Sequence, residues 1–191
     1  MWRTEVLVLR AGGLVDRPVP AAGVSLVRLR GQEARAATAA AMRLAGDRPD
    51  LVAQRLAEGD ELFGWQAADR TIVSFGWARF GQRSIGPFAF SDRPGRTFLY
   101  NFHTLPPWRG RGLYPSLIAQ MRWALTDGGA REFIIDVNAL NVASRRGIEK
   151  AGFALVASLS YLTLFRRWER ALTTRTLDPS VPPLFERASP R

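Results

Sequence analysis

The sequence predicts a mixed α/β domain built on one central sheet. Three observations predict it. Short runs of alternating or wholly apolar residues, such as "TIVSFGWARF" at 71–80 and "REFIIDV" at 131–137, recur along the chain as strands do. Between them lie segments with apolar residues at helical spacing, most clearly Leu117, Ile118, Met121 and Leu125. The order is two helices, a strand meander, then strand, helix, strand, helix and final strands, which calls for helices packed on a sheet.

Residues 1–20 hold one apolar run, "EVLVL", then "AGG" and "RPVP", which predicts an added strand or arm and a turn-rich link. "VSLVRL" at 24–29 reads as a short strand. "GQEARAATAAAMRLAG" at 31–46 has strong helix formers, an alanine-rich face and a closing Gly46, so a helix is expected there. "RPDLVAQRLAEGD" predicts a second, with Pro49 in the first turn, where a missing N–H is harmless, and Gly59 at its end. "ELFGWQA" (61–67) and "TIVSFGWARF" lie close enough for a hairpin over "ADR". "GQRSIGPFAFSDRPG" (81–95) is expected to be irregular or partly a loop, and "RTFLYNFHTL" (96–105) to be the next strand.

A helix over 113–125 follows, with Pro115 in its first turn. After "REFIIDV", the segment "NVASRRGIEKAG" (141–152) predicts a helix capped by Asn141 and closed by Gly152. "FALVASLSYLTLFRRW" (153–168) supplies one or two last strands, and the proline- and arginine-rich sequence from Glu169 onward predicts a loose tail. The expected organisation is an N-terminal arm or extra strand over 1–20, one domain over 21–168 and a basic tail over 169–191.

Composition bounds the function. The 191 residues are 47% apolar and 23% charged, which suits a globular domain with a sizeable core. No apolar run approaches ~20 residues, so no membrane insertion is expected. Glu5 precedes an apolar run too short for a signal peptide, and a cytoplasmic location is expected. Zero cysteines exclude disulfides, thiolate metal ligands and a cysteine nucleophile, and the single His103 excludes a multi-histidine site; no metal is expected. Net charge is +10, and Lys150 is the only lysine. Arginine codon bias alone would produce this. The distribution adds to it: between Arg70 and Arg122 lie eight arginines and one acid, Asp92, a field that favours an anionic ligand without choosing between nucleotide, nucleic acid and acidic polymer.

"PPWRGRGLYPSL" (106–117) concentrates the chemistry. Two prolines end a strand, Gly110 and Gly112 let an anion approach bare backbone, and Arg109 and Arg111 add charge. The helix that starts at once offers first-turn N–H groups with no intrahelical partner, and its dipole favours phosphate. The stretch reads as a pyrophosphate cradle, or else as a flexible turn before a structural helix. A P-loop would need GK[ST], which is absent, and a dinucleotide fingerprint has Pro115 where its third glycine belongs.

"LYNFHTLPPWRGRGLYPSL" followed by "NVASRRGIEKAGF" resembles the GNAT superfamily of acyl-CoA-dependent N-acyltransferases, over roughly residues 22–168. The family's Q/R-x-x-G-x-G/A loop falls on Pro107, Gly110 and Gly112. Its N-x-x-A-x-x-x-Y-x-K-x-G-F pattern falls on Asn141, Ser144, Ile148, Lys150, Gly152 and Phe153. The resemblance implies a GNAT-like, mostly antiparallel mixed sheet with helices on both faces, splayed between its fourth and fifth strands. Acetyl-CoA, or another acyl-CoA, would lie in that splay against Thr104, Leu105, Trp108, Arg109, Gly110, Arg111, Gly112, Leu113, Asn141 and Ser144. The implied reaction is direct attack by a primary amine of a small molecule or peptide on the thioester in a ternary complex. A homodimer is compatible with this.

Three positions depart from the family pattern: Pro107 for Gln or Arg, Tyr114 for a small residue, and Ile148 for the tyrosine that often protonates the leaving thiolate. Two rival readings follow, a non-catalytic CoA-binding module and an acyltransferase for a nucleic-acid-linked amine such as aminoacyl-tRNA. For proton transfer, regular alternation puts Phe98, Tyr100, Phe102 and Thr104 on one face of their strand and Leu99, Asn101, His103 and Leu105 on the other. The family's base position falls on Tyr100 or Phe98. Phe98 cannot act, and an ordinary phenol is a poor base near neutrality. His103 suits the task chemically but sits on the wrong face unless a bulge reverses it. Ser144 would touch the thiol or cap a turn, Tyr161 would reach the acyl group or pack, and Asp136 and Glu149 show no partner in the sequence.

Overall fold

Eleven strand segments and three helices make up the part of the computed structural model that is described, residues 2–13, 16–30, 49–90, 93–164, 168–178 and 184–187. The helix expected over 31–46 lies outside the described residues. In chain order the strands are β1 (Trp2–Gly12), β2 (Ser25–Leu29), β3 (Glu61–Gln66), β4 (Ile72–Phe80), β5 (Ser84–Ile85), β6 (Phe88–Phe90), β7 (Arg96–Thr104), β8 (Glu132–Asn138), β9 (Ala154–Leu164), β10 (Trp168–Thr176) and β11 (Phe185–Arg187). The helices are α1 (Pro49–Ala57), α2 (Leu113–Asp127) and α3 (Val142–Lys150).

Eight strands form one sheet in the order β10-β9-β1-β8-β7-β4-β3-β2. Its pairings are antiparallel apart from β7 with β8, which is parallel. The β3–β4 hairpin turns over residues 67–70 as expected, Ala67 N–H donating to the Thr71 carbonyl at 2.9 Å. One face of the sheet carries Phe63, Leu99, Phe133 and Ile135 under α2 and α3, whose Leu117, Ile118, Met121 and Ile148 are buried against it. On the other face, Val52 of α1 packs with Leu62, Phe75 and Trp77. The fold is therefore mixed α/β with helices on both faces, as read from the sequence.

Three segments differ from expectation. The chain start is not peripheral: β1 lies inside the sheet, paired to β8 through Val6–Gly12 and to β9 through Trp2–Arg10. Its wholly apolar run suits a strand with neighbours on both edges and layers on both faces; Val8 and Leu9 are fully buried. The 81–95 connection is not merely irregular, for β5 and β6 form a hairpin that joins β11 in a second, three-stranded sheet. Phe88 and Phe90 of this hairpin pack with Val6, Val8, Phe98, Ile134 and Leu159, covering the face that α1 leaves open. Residues 168–176, expected in or next to the loose tail, form the edge strand β10, where exposed threonines suit extended backbone at a solvated rim.

The parallel pair is pinned at one end. The Gly95 carbonyl accepts from Arg131 N–H at 2.8 Å and Glu132 N–H at 3.1 Å. Glu132 then bridges two strands, with Oε2 at 2.5 Å from Arg96 Nε of β7 and Oε1 at 2.8 Å from Arg10 Nε of β1. The Arg96 side chain is 1% exposed, so its charge depends on that carboxylate. Glu132→Ala should lower unfolding free energy by about 3 kcal/mol, the usual cost of stripping a buried ion of its partner. Urea denaturation checks this; a loss under about 1 kcal/mol would show that the clamp is not structural.

Candidate functional site

The site begins with an irregularity in β7. Ser74 pairs with Thr104 and Phe75 with His103, yet the next pair is Trp77 with Tyr100, so Gly76 alone faces Asn101 and Phe102. Asn101 absorbs this bulge with a φ of +52°, a conformation asparagine tolerates better than most residues. The bulge reverses the parity expected from regular alternation. Tyr100 and His103 share the face of Phe75 and Trp77, while Phe102 and Thr104 join Leu99 on the other. Phe102 lies flat over Gly76, where any Cβ would come within 2.2 Å of its ring. Thr104 Oγ1 and Ser74 Oγ share a hydrogen bond of 2.8 Å.

Strands β7 and β8 pair only from Arg96–Glu132 to Phe98–Ile134. Both continue beyond that point, and a cleft of about 790 Å³ lies between the end of β7, the bend before α2 and the start of α3. Of the residues expected at a carrier site, Thr104, Trp108, Arg109, Gly110, Gly112, Leu113, Asn141 and Ser144 line it, and so does His103. Leu105, Arg111 and Tyr100 lie off the lining. Sequence reasoning missed Phe102, Pro115, Ala143, Arg146 and Gly147, and gave Tyr114 and Lys150 no binding role, although all line the cleft. For Ala143, Arg146, Gly147 and Lys150 the signal was available, since spacings of three and four put them on one stripe of α3.

At the bend, Gly110 and Gly112 have φ of +77° and +71°, and a Cβ on either would meet nothing within 4 Å. Both glycines are thus needed for backbone conformation and border open space. Gly112 is the N-cap of α2 and no side chain caps this end, which leaves first-turn amides for a ligand. Arg109 Nε donates to the Thr104 carbonyl at 3.0 Å. Arg111 is turned onto Trp108, 4.7 Å from the ring centroid, and donates to the Pro107 carbonyl at 3.2 Å. These arginines brace the bend while keeping charge beside it.

Across the cleft, Asn141 caps α3 as expected, its Oδ1 accepting from Ser144 N–H at 3.1 Å. That leaves the amide NH₂ to offer a ligand. The Ser144 and Tyr114 hydroxyls share a hydrogen bond of 2.8 Å. The Tyr114 ring rests on Gly147, where a Cβ would come within 2.6 Å, and meets Phe102 edge to face at 5.3 Å. Burial raises the Tyr114 pKa, and the Ser144 hydrogen bond opposes this only in part. Ile148 is 1% exposed in the core and offers no proton.

On the opposite face, the Tyr100 hydroxyl donates to the buried Asp60 carboxylate, which also takes Arg79 Nε at 3.0 Å and Nη2 at 2.8 Å. Burial first, then the Asp60 hydrogen bond and charge, push the Tyr100 phenol far above its usual range. Tyr100 is thereby held protonated, which removes it as a base. His103 stacks on Phe75 at 5.4 Å between centroids. Tyr161 packs on Gly86 under the β5–β6 hairpin. Asp136 and Glu149 do have partners: Arg83 and Arg145, each at 2.8 Å.

Most of the arginine field has partners within the chain, although Arg109 and Arg111 are exposed. Arg79, Arg83 and Arg96 pair with Asp60, Asp136 and Glu132, while Arg109, Arg111 and Arg122 donate to backbone carbonyls. Among the described residues, no helix is long and apolar enough to cross a membrane.

Neither a protein-family model nor a curated protein matches the sequence. Solved structures do match in shape. A protein assigned to the GNAT acetyltransferases from Novosphingobium aromaticivorans superposes with a TM-score of 0.62 at 20% identity, over 84% of this chain and 63% of that one. A GCN5-related N-acetyltransferase from Sphaerobacter thermophilus gives 0.62 at 16% identity, over 93% of this chain and 53% of that one. The aminoglycoside N-acetyltransferase AAC(6')-Iy, solved with CoA, gives 0.54 at 22% identity, over 74% and 92%. The chain has the GNAT fold. It spans between half and two thirds of the length of the first two neighbours.

Tyr100 and Tyr114 make a measurable pair. Folding favours their protonated forms, so each contributes stability below its unfolded pKa of 10.0 that is lost as pH rises toward the folded value. Tyr100 and Tyr114 should both ionise above the ordinary phenol range for as long as the protein stays folded in alkali. Absorbance titration against a circular-dichroism melt checks this; three phenolates titrating within the ordinary range in the folded state would contradict the burial.

Proposed function

We propose that the chain is an N-acyltransferase that moves an acetyl or other short acyl group from acyl-CoA to a primary amine. One observation carries the reading: an uncapped helix N-terminus behind a two-glycine bend opens onto the same cleft as the stretch of β7 that has parted from β8. A diphosphate fits the bend, because the amides there are free of side-chain caps and the positions above Gly110 and Gly112 are open. Arg109, Arg146 and Lys150 add positive charge around it. Beyond Phe98 the β7 edge can pair with the amide groups of an extended carrier arm, and the Asn141 NH₂ lies across the cleft from it.

The chain's contribution to the reaction would be alignment, oxyanion stabilisation by a β7 amide, and two proton transfers. His103, a lining residue whose ring stacks on Phe75 on the other face of β7, is the group suited to take the proton from the attacking ammonium and pass it to water. The Ser144–Tyr114 hydroxyl pair would give the leaving thiolate its proton, in place of the tyrosine that Ile148 replaces. An amine acceptor is in keeping with the aminoglycoside acetyltransferases among the structural neighbours. Because so much of the arginine field is paired internally, a nucleic-acid-linked acceptor has little to recommend it.

Thiol release from acetyl-CoA with an amine panel tests the reading; tight CoA binding with no turnover would favour the non-catalytic module. Gly110→Asp with Gly112→Asp should abolish CoA binding in calorimetry, by steric block and like charge, and unchanged affinity in the folded double variant would sink the cradle. Tyr114→Phe with Ser144→Ala keeps the ring on Gly147 and removes both hydroxyls. It should lower kcat by about a hundredfold with little change in the acetyl-CoA KM, as loss of a general acid does. A KM effect alone would make the pair a binding element.

A further inference from the structure

The face opposite the cleft holds a feature the proposed reaction has not used. After Phe98 and Ile134 the parallel strands part, and the next residues facing each other across the gap on that side are Tyr100 and Asp136. Arg83, from the connection after β4, reaches into this gap. Its guanidinium carbon lies 4.5 Å from the Tyr100 ring centroid and its Nη2 is 2.8 Å from Asp136 Oδ1. The Arg83 backbone is fixed independently, its carbonyl accepting from Phe90 N–H at 2.8 Å, so the side chain can leave without unravelling the hairpin.

Arg83 is held less completely than Arg79. Arg79 grips Asp60 through both Nε and Nη2, whereas Arg83 Nε is buried with no hydrogen-bond partner. Among the described residues its guanidinium meets the Tyr100 ring face and the Asp136 carboxylate, which together make a receptor for a cation. Arg55 and Arg79 also lie 5.4 and 5.9 Å from the Tyr100 centroid, and Asp60 and Glu58 neutralise the second of these.

We infer that the Tyr100 ring and the Asp136 carboxylate form a subsite for a cationic group of the acceptor, an ammonium or guanidinium, and that Arg83 fills it until the acceptor displaces it. The inference rests on the acyl-transfer reading, since the strands whose separation opens the cleft carry Tyr100 and Asp136 on their other face. It narrows the acceptor class to amines with a second positive charge and disfavours amines bearing a carboxylate, which Asp136 would repel.

The test uses the full chain with CoA and three probes: agmatine, n-pentylamine and 4-aminobutyrate. Calorimetry should show agmatine binding at least about tenfold more tightly than n-pentylamine, with 4-aminobutyrate weakest. Asp136→Asn should weaken agmatine by about tenfold at unchanged CoA affinity, and Arg83→Ala or Arg83→Gln should tighten it by a similar factor. No agmatine binding to wild-type protein that still takes CoA would overturn the subsite and leave the acyltransferase reading standing, as would an Asp136→Asn variant of unaltered affinity. Weaker agmatine binding in both Arg83 variants would make Arg83 a brace and overturn its role as placeholder. Asp136-dependent agmatine binding without any CoA affinity would keep the subsite and remove the enzyme. Should Asp136→Asn lose its fold by melting temperature, the Arg83 variants decide alone.

Discussion

Strands β7 and β8 share hydrogen bonds over three residue pairs and then run on without each other, and the geometry of the site depends on where they separate. A parallel pair this short is held less by its own ladder than by what clamps its closed end. Here the clamp is hydrogen bonding plus charge: the Gly95 carbonyl takes two amides from the β8 side, and Glu132 ties β7 to β1 through two arginines. The same separation exposes the cleft on the α2–α3 side and the Tyr100–Asp136 gap on the other. One structural decision therefore yields both the cleft and the gap on the opposite face.

Close contact between aromatic rings and glycines sets the walls around this opening. Phe102 lies on Gly76, Tyr114 on Gly147 and Tyr161 on Gly86, and in each case a Cβ would come within 3 Å of the ring. The first two are linked, because Phe102 and Tyr114 meet edge to face. The β7 bulge sends Phe102 toward Gly76. Phe102 then supports Tyr114, and Tyr114 carries the hydroxyl bonded to Ser144. A bulky residue at position 114 is thus compatible with a cleft because position 147 has no side chain.

Local pattern reached the strands and helices of the described chain well, since burial on a sheet or helix face leaves a period in the sequence. It reached less where the outcome depends on distant pairing. "EVLVL" reads as a buried strand, but nothing local says that its neighbours are β8 and β9. "SIGPFAF" contains a hairpin whose reason to form is the apolar face of the large sheet, not its own propensity. The parity of β7 is reversed by a single residue, Asn101, whose positive φ has no signature that regular alternation would reveal. The glycine bend was readable because its chemistry is local, being two glycines and a helix start. The partners of Asp136 and Arg83, 53 residues apart, were not.

A net charge of +10 suggests a basic surface, yet several of the described arginines act as connectors. Arg122 shows the principle: on α2, it donates to the Ala151 carbonyl at the end of α3 and the Gly12 carbonyl at the end of β1, and its guanidinium lies 5.1 Å from the Phe153 ring centroid. A lysine could not span two carbonyls and an aromatic face with one planar head. A head paired with a carboxylate adds little to a long-range field, whereas one bonded to carbonyls keeps its charge and is merely fixed in place. What remains around the cleft is local: Arg109 on one wall, Arg146 and Lys150 on the other, and the helix N-terminus between them. That arrangement suits a compact polyanion held at one point better than an extended one lying along a surface, which is why the electrostatics favour a diphosphate over a nucleic-acid backbone.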